Sequence, residues 1–346
     1  MTGTTKPTRS TGAAARHRAR LAAWGVLLAC GSGIAAGTPF TGHARAQGQG
    51  ALVRTASPKA RGLSDADFPR VRELAANVYS YEQLRSAGDE RFTTVSLFVV
   101  TTEGVLVADG QGSVAETQRM IDTIRGLTPQ PIRHVVVCSD HGDHTGGNTA
   151  FPSGVTFYAH PTSQAVLREA AARTAARGRG AAAPVPTEAV PDRRVLRLGG
   201  MEIQILFLGR AHTGGDLSVY LPAQRVLFMS EAFLNRVFPA MRSAYPSEWV
   251  RAIERAQAMD VETFVPGHGF VDPPAVLREE LETYRRALVQ VIAEARRLHD
   301  AGVPVDQAAA QARWGDLDTW TLRGSQAETA IRRVYMELDG QLPGGG

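Results

Sequence analysis

The chain has 346 residues, of which 43% are hydrophobic and 21% are charged, and these proportions are ordinary for a folded globular protein. Its formal net charge is +4, but residues 1–46 contain six Lys and Arg and no Asp or Glu, so the remainder carries −2. This mildly acidic remainder argues against nucleic acid as a partner, because nucleic acid attracts basic surfaces.

Residues 1–46 have the features of an export signal. A cationic start ends at Arg20, an apolar run rich in small residues follows, and the sequence ARA at 44–46 fits an A-x-A cleavage pattern. We therefore expect cleavage after Ala46 and a periplasmic or secreted protein. Two alternatives stay open: the apolar run is retained as a membrane anchor, or the LLA that precedes Cys30 marks a lipoprotein whose membrane attachment is a lipid on Cys30.

The pattern that follows predicts a lead-in and then alternating strands and helices. Residues 47–72 are polar and rich in Gly, Ser and Pro, which indicates a linker or a loosely docked lead-in. The runs 95–102 and 105–110 predict a β-hairpin, and 114–127 has the apolar spacing of a helix. The near-continuous apolar run HVVVCS at 134–139 predicts a strand that is covered on both faces.

The second half of the chain repeats the alternation and then becomes helical. A strand is predicted at 155–160, followed by a helix, a low-complexity loop at 176–191 and four closely spaced strands. A helix is predicted at 246–259, and apolar residues beyond it keep helical spacing. The sequence therefore predicts an α/β layered domain at 73–272 and a C-terminal helical region at 273–346.

Four histidines lie in Gly-rich turns that follow predicted strands. They are His141 and His144 in SDHGDHTGG, His212 in AHTGGD and His268 in VPGHG, and Asp143 lies between the first two. Turns at strand ends can bring side chains together without disturbing the core. Imidazole and carboxylate groups are ligands for Zn²⁺ and similar ions. The repetition of this pattern in three separate turns predicts a metal site.

The order of these motifs resembles that of the metallo-β-lactamase-fold hydrolases. Their pattern is H-x-H-x-D-H, a His in a GHT-x-GD-like turn, an Asp after a strand and a His in a PGH turn. The corresponding segments here are SDHGDHTGG, AHTGGD, FMSEAFL and VPGHG, and the resemblance extends over residues 75–270. It implies a four-layer αββα sandwich, to which the helical C-terminus is an extension. It also implies one or two zinc ions, with Fe or Mn as alternatives.

Two positions depart from the family pattern. Ser139 stands at the position of the first histidine, and Glu231 stands at the position of the bridging aspartate. The resemblance assigns the other ligands to two sites, one with Asp143, His144 and His268, the other with His141 and His212. Glu231 could serve either site. Because a serine hydroxyl is a weaker Zn²⁺ ligand than imidazole, the resemblance implies asymmetric sites.

The implied chemistry is hydrolysis by metal-activated water. A bound ion can lower the pKa of water from about 16 to near 7, and Asp143 would bind the metal and orient the nucleophile. We therefore expect an exported hydrolase of a small carbonyl compound, such as a β-lactam, a lactone or a thioester. The alternative is a catalytically impaired metal-binding protein with a sensory or accessory role. A nucleic-acid-processing member of the fold is disfavoured by the charge and by the export signal.

Four further residues are candidates for weak metal ligation or substrate contact. Ser139 is one, and the neighbouring Asp140 is a spare carboxylate that should point the other way if the strand continues. Both lysines of the chain precede the predicted domain, so an anionic substrate group would have to be bound by arginine. Arg236 and Arg242 are candidates, because the guanidinium group matches a carboxylate in bidentate geometry. Each could equally be an ordinary surface residue.

Overall fold

The computed structural model describes residues 52–177 and 184–344. The residues from Leu52 onward form one compact unit. The predicted export signal, its cleavage site and Cys30 lie outside the described residues. Within those residues, no helix combines the length and the apolar character that a membrane span requires.

Among the described residues, the first half of this unit contains seven strands and three α-helices. In chain order they are β1 (Arg70–Ala75), β2 (Val78–Ala87), β3 (Glu90–Thr101), β4 (Gly104–Ala108), α1 (Val114–Leu127), β5 (Ile132–Val136), α2 (Gly142–Thr145), β6 (Thr156–Ala159), α3 (Pro161–Ala176) and β7 (Glu188–Ala189).

The second half contains five strands and four helices. They are β8 (Arg193–Leu198), β9 (Met201–Phe207), β10 (Leu217–Leu221), β11 (Val226–Leu234), α4 (Pro246–Gln257), β12 (Thr263–His268), α5 (Pro274–Asp300), α6 (Val305–Gln311) and α7 (Arg323–Leu338).

The strands form one curled sheet with two halves. Its order is β7-β6-β5-β4-β3-β12-β11-β10-β9-β8, with β2 paired to β3 and β1 paired to β2. The halves meet where Thr94 of β3 pairs with His268 at the end of β12. The pairs β4–β5 and β11–β12 are parallel. Their carboxyl ends therefore emerge at sheet edges, where loops can assemble a site.

The central strands are buried on both faces. In β3, Leu97 and Val99 belong to the large apolar cluster that includes β9, β10 and β11, whereas Phe98 packs with Met120 and Ile124 of α1. Alternate residues of a strand point to opposite faces, so this pattern places helices outside each half of the sheet. Helices α4, α5 and α7 join the large cluster from the other side. The result is the four-layer α/β/β/α arrangement that the resemblance implied.

The lead-in is firmly docked rather than loose. Arg61 donates two hydrogen bonds to Asp272, at 2.6 and 2.9 Å, Arg54 contacts Glu280 at 3.1 Å, and Ala56 is fully buried. Strand β1 begins at Arg70, inside the segment that was expected to be a linker. Polar composition alone did not reveal this docking, because the partners of these arginines lie more than two hundred residues along the chain.

Candidate metal centre

The ligand candidates converge on one place at the edge of the sheet. His141 directly precedes α2, which carries Asp143 and His144; His212 lies in the loop between β9 and β10; Glu231 lies in β11; and His268 ends β12. Their donor atoms form two groups that share Glu231. We call them the four-donor group (Asp143, His144, Glu231 and His268) and the three-donor group (His141, His212 and Glu231).

An irregularity in β11 accompanies the placement of Glu231 in the site. The register between β11 and β12 shifts between Phe228 and Ser230, and Ser230 has a φ of +46°. Such bulges redirect side chains and are frequent next to functional sites. Strand β12 approaches closely here, since a Cβ at Gly267 would lie 2.4 Å from the backbone of Ser230. Glu231 therefore lies inside a bulged strand, whereas the family pattern has its aspartate after a strand.

In the four-donor group, the imidazole rings of His144 and His268 face each other through their Nε2 atoms. Nδ1 of His268 donates to the carbonyl of Thr93 at 2.8 Å, and Nδ1 of His144 lies 3.0 Å from the Oδ2 of Asp109. Both contacts favour the proton on Nδ1, which leaves the two Nε2 lone pairs facing each other at 3.4 Å. Two nitrogens bound to one tetrahedral Zn²⁺ at about 2.05 Å are about 3.3 Å apart. The rings are therefore spaced as they would be around a zinc ion.

Two carboxylates complete the four-donor group. Nε2 of His268 lies 3.2 Å from Oδ2 of Asp143 and 3.3 Å from Oε1 of Glu231. Burial alone would lower the pKa of His268, but the hydrogen bonds to these carboxylates outweigh it and raise the pKa to about 10. Without a metal the group thus binds a proton avidly, and a divalent cation would satisfy the same lone pairs. The donor set fits Zn²⁺.

The three-donor group depends on the same glutamate. Oε2 of Glu231 lies 3.0 Å from Nδ1 of His141, and Oε1 lies 3.1 Å from Nε2 of His212. Burial opposes the ionisation of Glu231, yet the nearby imidazoles, His212 foremost, hold its pKa well below the usual range. Glu231 is therefore a carboxylate that faces both groups at once.

Ser139 contacts the carboxylate of Glu231. Its hydroxyl donates to Oε2 of Glu231 at 2.5 Å, and both side chains are buried. The longer glutamate thus extends to the position beside Ser139, where the family pattern has a histidine. Ser139 supports Glu231 as a hydrogen-bond donor, so the two departures from the pattern are one coupled arrangement.

The structure also shows a supporting residue that the sequence analysis missed. Asp109 follows β4 with a φ of +62°. Its Oδ1 accepts from the backbone N–H of Cys138 at 2.7 Å, and its Oδ2 accepts from the hydroxyl of Ser230 at 2.5 Å. It thereby connects the segments that follow β4 and β5 to β11, and it lies beside His144. A signal existed, because Asp109 is a carboxylate next to a glycine at the end of the predicted strand 105–110.

Of the further candidates, Arg242 lines the site, whereas Asp140 and Arg236 do not. Asp140 accepts a hydrogen bond from Ser163 at 2.8 Å and belongs to neither donor group. Arg236, a candidate for substrate contact, forms a bidentate ion pair with buried Glu280 at 2.5 and 2.8 Å. This buried carboxylate holds the guanidinium away from the site. Arg242 is exposed and lines the cavity next to both donor groups.

That cavity has a volume of about 390 Å³. Its walls include every metal-ligand candidate except His144, together with Arg85, Arg242, Leu322, and Gln326 and Thr329 of α7. Nε of Arg85 lies 3.6 Å from Oδ2 of Asp143. Nothing in the sequence pattern indicated Arg85 or α7 as parts of the site, because both come from elements that are distant along the chain.

Comparison with known proteins agrees with this geometry. Residues 89–268, which are 180 of the 346, match the family model of the metallo-beta-lactamase superfamily. The metallo-beta-lactamase IND-1 of Chryseobacterium indologenes is 23% identical over 208 residues, covering 58% of this chain and 82% of that protein. The metallo-beta-lactamase type 2 of Bacillus cereus is 22% identical over 218 residues, covering 61% and 81%.

A solved structure of the same kind is similar in fold. The metallo-beta-lactamase from Pontibacter korlensis superposes with a TM-score of 0.54 at 22% identity, covering 63% of this chain and 98% of that one. The family match spans more than half of the chain and contains all six ligand candidates. The chain belongs to the metallo-beta-lactamase superfamily, and it is a metallo-hydrolase.

Proposed function

We propose that the protein is an exported, zinc-dependent hydrolase of a carbonyl compound, with two metal sites of unequal affinity. The observation that carries the proposal is the pair of Nε2 atoms of His144 and His268, which face each other at the spacing of zinc ligands beside two carboxylates. Among carbonyl substrates, a β-lactam is favoured by the named relatives. Lactones and thioesters are the alternatives, as are Fe and Mn for the metal.

The inequality of the sites follows from how the donors are shared. The four-donor group has two imidazoles and two carboxylates, which offset the charge of a divalent ion. The three-donor group has two imidazoles and depends on Glu231, one oxygen of which also accepts the hydroxyl of Ser139. A site with fewer ligands and a shared anion binds less tightly. We therefore infer that one ion is retained and that the second is held weakly.

Asp143 is the residue to which we assign the catalytic role. Burial and the charge of Glu231 oppose its ionisation, but the hydrogen bond with His268 and the two nearby imidazoles outweigh them and lower its pKa. An ionised carboxylate accepts a hydrogen bond from the attacking water and orients it toward the carbonyl carbon. Nε of Arg85 lies 3.6 Å from Oδ2 of Asp143, the oxygen that also contacts His268. The bound cation would lower the pKa of that water and polarise the carbonyl.

Hydrolysis assays on the purified, zinc-supplemented protein test this proposal. A chromogenic β-lactam, a γ-lactone and an acyl thioester should be compared, each with and without a chelator. We expect turnover of at least one, loss of turnover on chelation, and none in His144→Ala. Metal binding without turnover of any of the three would instead favour the alternative, a non-catalytic metal-binding protein with a sensory or accessory role.

Export is tested separately. The N-terminal sequence of protein recovered from the periplasm or medium should begin at Gln47 if cleavage follows Ala46. A mature protein that begins at a lipid-modified Cys30 would support the lipoprotein alternative. A protein that retains Met1 would contradict export by a cleaved signal.

A further inference from the structure

The C-terminal helix α7 is connected to the metal centre through the loop between β11 and α4. This segment, residues 235–245, joins the strand that carries Glu231 to the helix that follows it, and we call it the β11–α4 loop. Helix α7 lies beyond residue 268, where the family match ends. Its contacts with this loop are therefore made by a part of the chain that lies outside the shared family domain.

Two side chains of α7 hold the end of the β11–α4 loop. Arg333 donates from Nε to the carbonyl of Ala244 at 2.5 Å and from Nη2 to the carbonyl of Ser243 at 3.2 Å. Glu337 accepts from the N–H and the hydroxyl of Ser247, at 3.1 and 2.7 Å. Because residues four apart lie on the same side of a helix, one face of α7 fixes both the loop and the first turn of α4.

The burial of Arg333 carries a cost in free energy. Only 9% of its surface is exposed, its hydrogen bonds go to backbone carbonyls, and no carboxylate in the ranges 52–177 and 184–344 forms an ion pair with it. A buried charge without a counter-ion is less favourable than an apolar side chain of similar size. Two donors aimed at consecutive carbonyls, however, fix the backbone of the loop, which an apolar side chain could not do.

The loop contacts one imidazole of the three-donor group through Ser243. Oγ of Ser243 lies 3.4 Å from Nε2 of His141. Nδ1 of the same ring lies 3.0 Å from Oε2 of Glu231 and 3.0 Å from Nε2 of His212. A proton that sits on Nε2 and is donated to Ser243 leaves the lone pair of Nδ1 free for a cation. The loop therefore supports the tautomer that metal ligation by His141 requires.

The loop contacts the turn of the other imidazole through Tyr245. The N–H of Tyr245 donates at 2.9 Å to the carbonyl of Ala211, the residue before His212. The guanidinium carbons of Arg210 and Arg333 lie over the ring of Tyr245, 4.0 and 5.4 Å from its centroid, and such cation–π contacts are attractive. The loop that α7 fixes is thus bonded to both histidine turns of the three-donor group.

The histidines of the four-donor group are supported by other elements. Nδ1 of His144 lies 3.0 Å from Asp109, which follows β4, and Nδ1 of His268 donates to the carbonyl of Thr93 in β3 at 2.8 Å. Neither contact involves the β11–α4 loop or α7. A disturbance of α7 should therefore reach the histidines of the three-donor group and leave those of the four-donor group in place.

We propose that Arg333 is a positioning residue for the second metal site, and that α7 thereby sets the zinc affinity of that site. Its guanidinium fixes the β11–α4 loop, and the loop orients His141 through Ser243. The same loop holds the turn of His212 through Tyr245. Without this support the two imidazoles can reorient, which weakens binding of the second zinc ion and leaves the first unaffected. This role rests on the proposed pair of unequal metal sites, of which α7 controls the weaker.

Calorimetric titration of the metal-free protein with zinc tests this role without any turnover, because it measures the affinity of each binding step. Loss of an outer partner of a ligand typically lowers metal affinity 10- to 100-fold. Ser243→Ala should therefore lower the affinity of the second step about tenfold or more. Arg333→Ala, which acts through the loop, should lower it severalfold. The affinity of the first step should stay unchanged in both variants.

Three further variants sharpen the test. Arg333→Lys keeps a donor but not the two-donor fork, so it should retain part of the second-step affinity, and it replaces Arg333→Ala if circular dichroism shows that variant to be unfolded. The double variant Ser243→Ala/Arg333→Ala should lose less affinity than the product of the two single losses, because both act through one loop. Arg332→Ala is the control, since Arg332 is exposed on the same helix and pairs with Glu328.

The outcomes separate this role from the metal centre itself. A second step that is equally strong in the wild type and in the Arg333 variants would overturn the role and leave the metal centre intact. Equal losses at both steps would show that Arg333 only stabilises the fold, which also overturns it, as would fully independent losses in the double variant. A wild type with a single zinc step would remove the second site and this role but not the four-donor group. A wild type that binds no zinc would contradict the metal centre.

Discussion

The carboxylate of Asp109 should set the zinc affinity without touching the ion. One of its oxygens lies 3.0 Å from Nδ1 of His144, and the other accepts the backbone N–H of Cys138 at 2.7 Å. Asp109→Asn keeps the shape but supplies only one acceptor oxygen. If that oxygen stays on the backbone N–H, the amide NH₂ faces His144 and favours its other tautomer. The proton then sits on Nε2, the nitrogen that should bind the metal.

Asp109→Asn should lower the affinity for zinc by one to two orders of magnitude. Loss of such an outer partner typically lowers metal affinity 10- to 100-fold, which corresponds to about 1.4–2.7 kcal/mol. Competition titration of metal-stripped protein against a chromophoric chelator measures the change, with circular dichroism to verify folding. Asp122→Asn is the matched control, because Asp122 is exposed on α1. Unchanged affinity in a folded Asp109→Asn variant would refute the tautomer assigned to His144.

Three further predictions follow from the same contacts. His144→Ala and His268→Ala should each remove the retained ion and all activity; a fully active His268→Ala would disprove the ligand assignment. His134→Ala is the control and should keep both, because the ring of His134 contacts Tyr158 and belongs to neither donor group. Because the pKa of His268 is raised from 6.5 to about 10, its protonated form stabilises the metal-free protein below pH 6.5, and that stability is lost as the pH rises through about 10. The Tm of metal-free wild type should therefore fall over this window more than that of His268→Gln, and parallel curves would contradict the shift. Glu231→Asp should weaken zinc binding at the second site, because the shorter side chain withdraws from Ser139 and His141. The double variant Ser139→His/Glu231→Asp should restore that binding. Isothermal titration with zinc measures the affinity of the second site, and an unchanged affinity in Glu231→Asp would contradict the prediction.

The layered fold followed from local patterns in the sequence. Helix α1 occupies the predicted residues 114–127, because its apolar residues repeat at helical spacing and Ser113 caps its N-terminus. The hairpin of β3 and β4 also formed where alternation predicted it. These elements were predictable because their burial depends on which face of a helix or strand a residue occupies.

The parts of the site that depend on distant partners were not predictable in the same way. The guanidinium of Arg236 is captured by Glu280 on α5, and no local pattern distinguishes it from Arg242, which remains free to face the cavity. The docking of α7 depends likewise on Arg333 bonding to carbonyls about ninety residues away. Turn motifs identified the histidines and Asp143 as ligand candidates, whereas the walls around these candidates are set by tertiary packing.

The central claim is that His144, His268, Asp143 and Glu231 together hold one cation more firmly than the neighbouring group holds a second. Metal analysis of native protein after exhaustive dialysis against metal-free buffer tests it most directly. We predict close to one equivalent of zinc per chain, with a second bound only when zinc is added in excess. Two equivalents retained with equal affinity would contradict the asymmetry, and protein that neither contains nor takes up metal would contradict the metal centre.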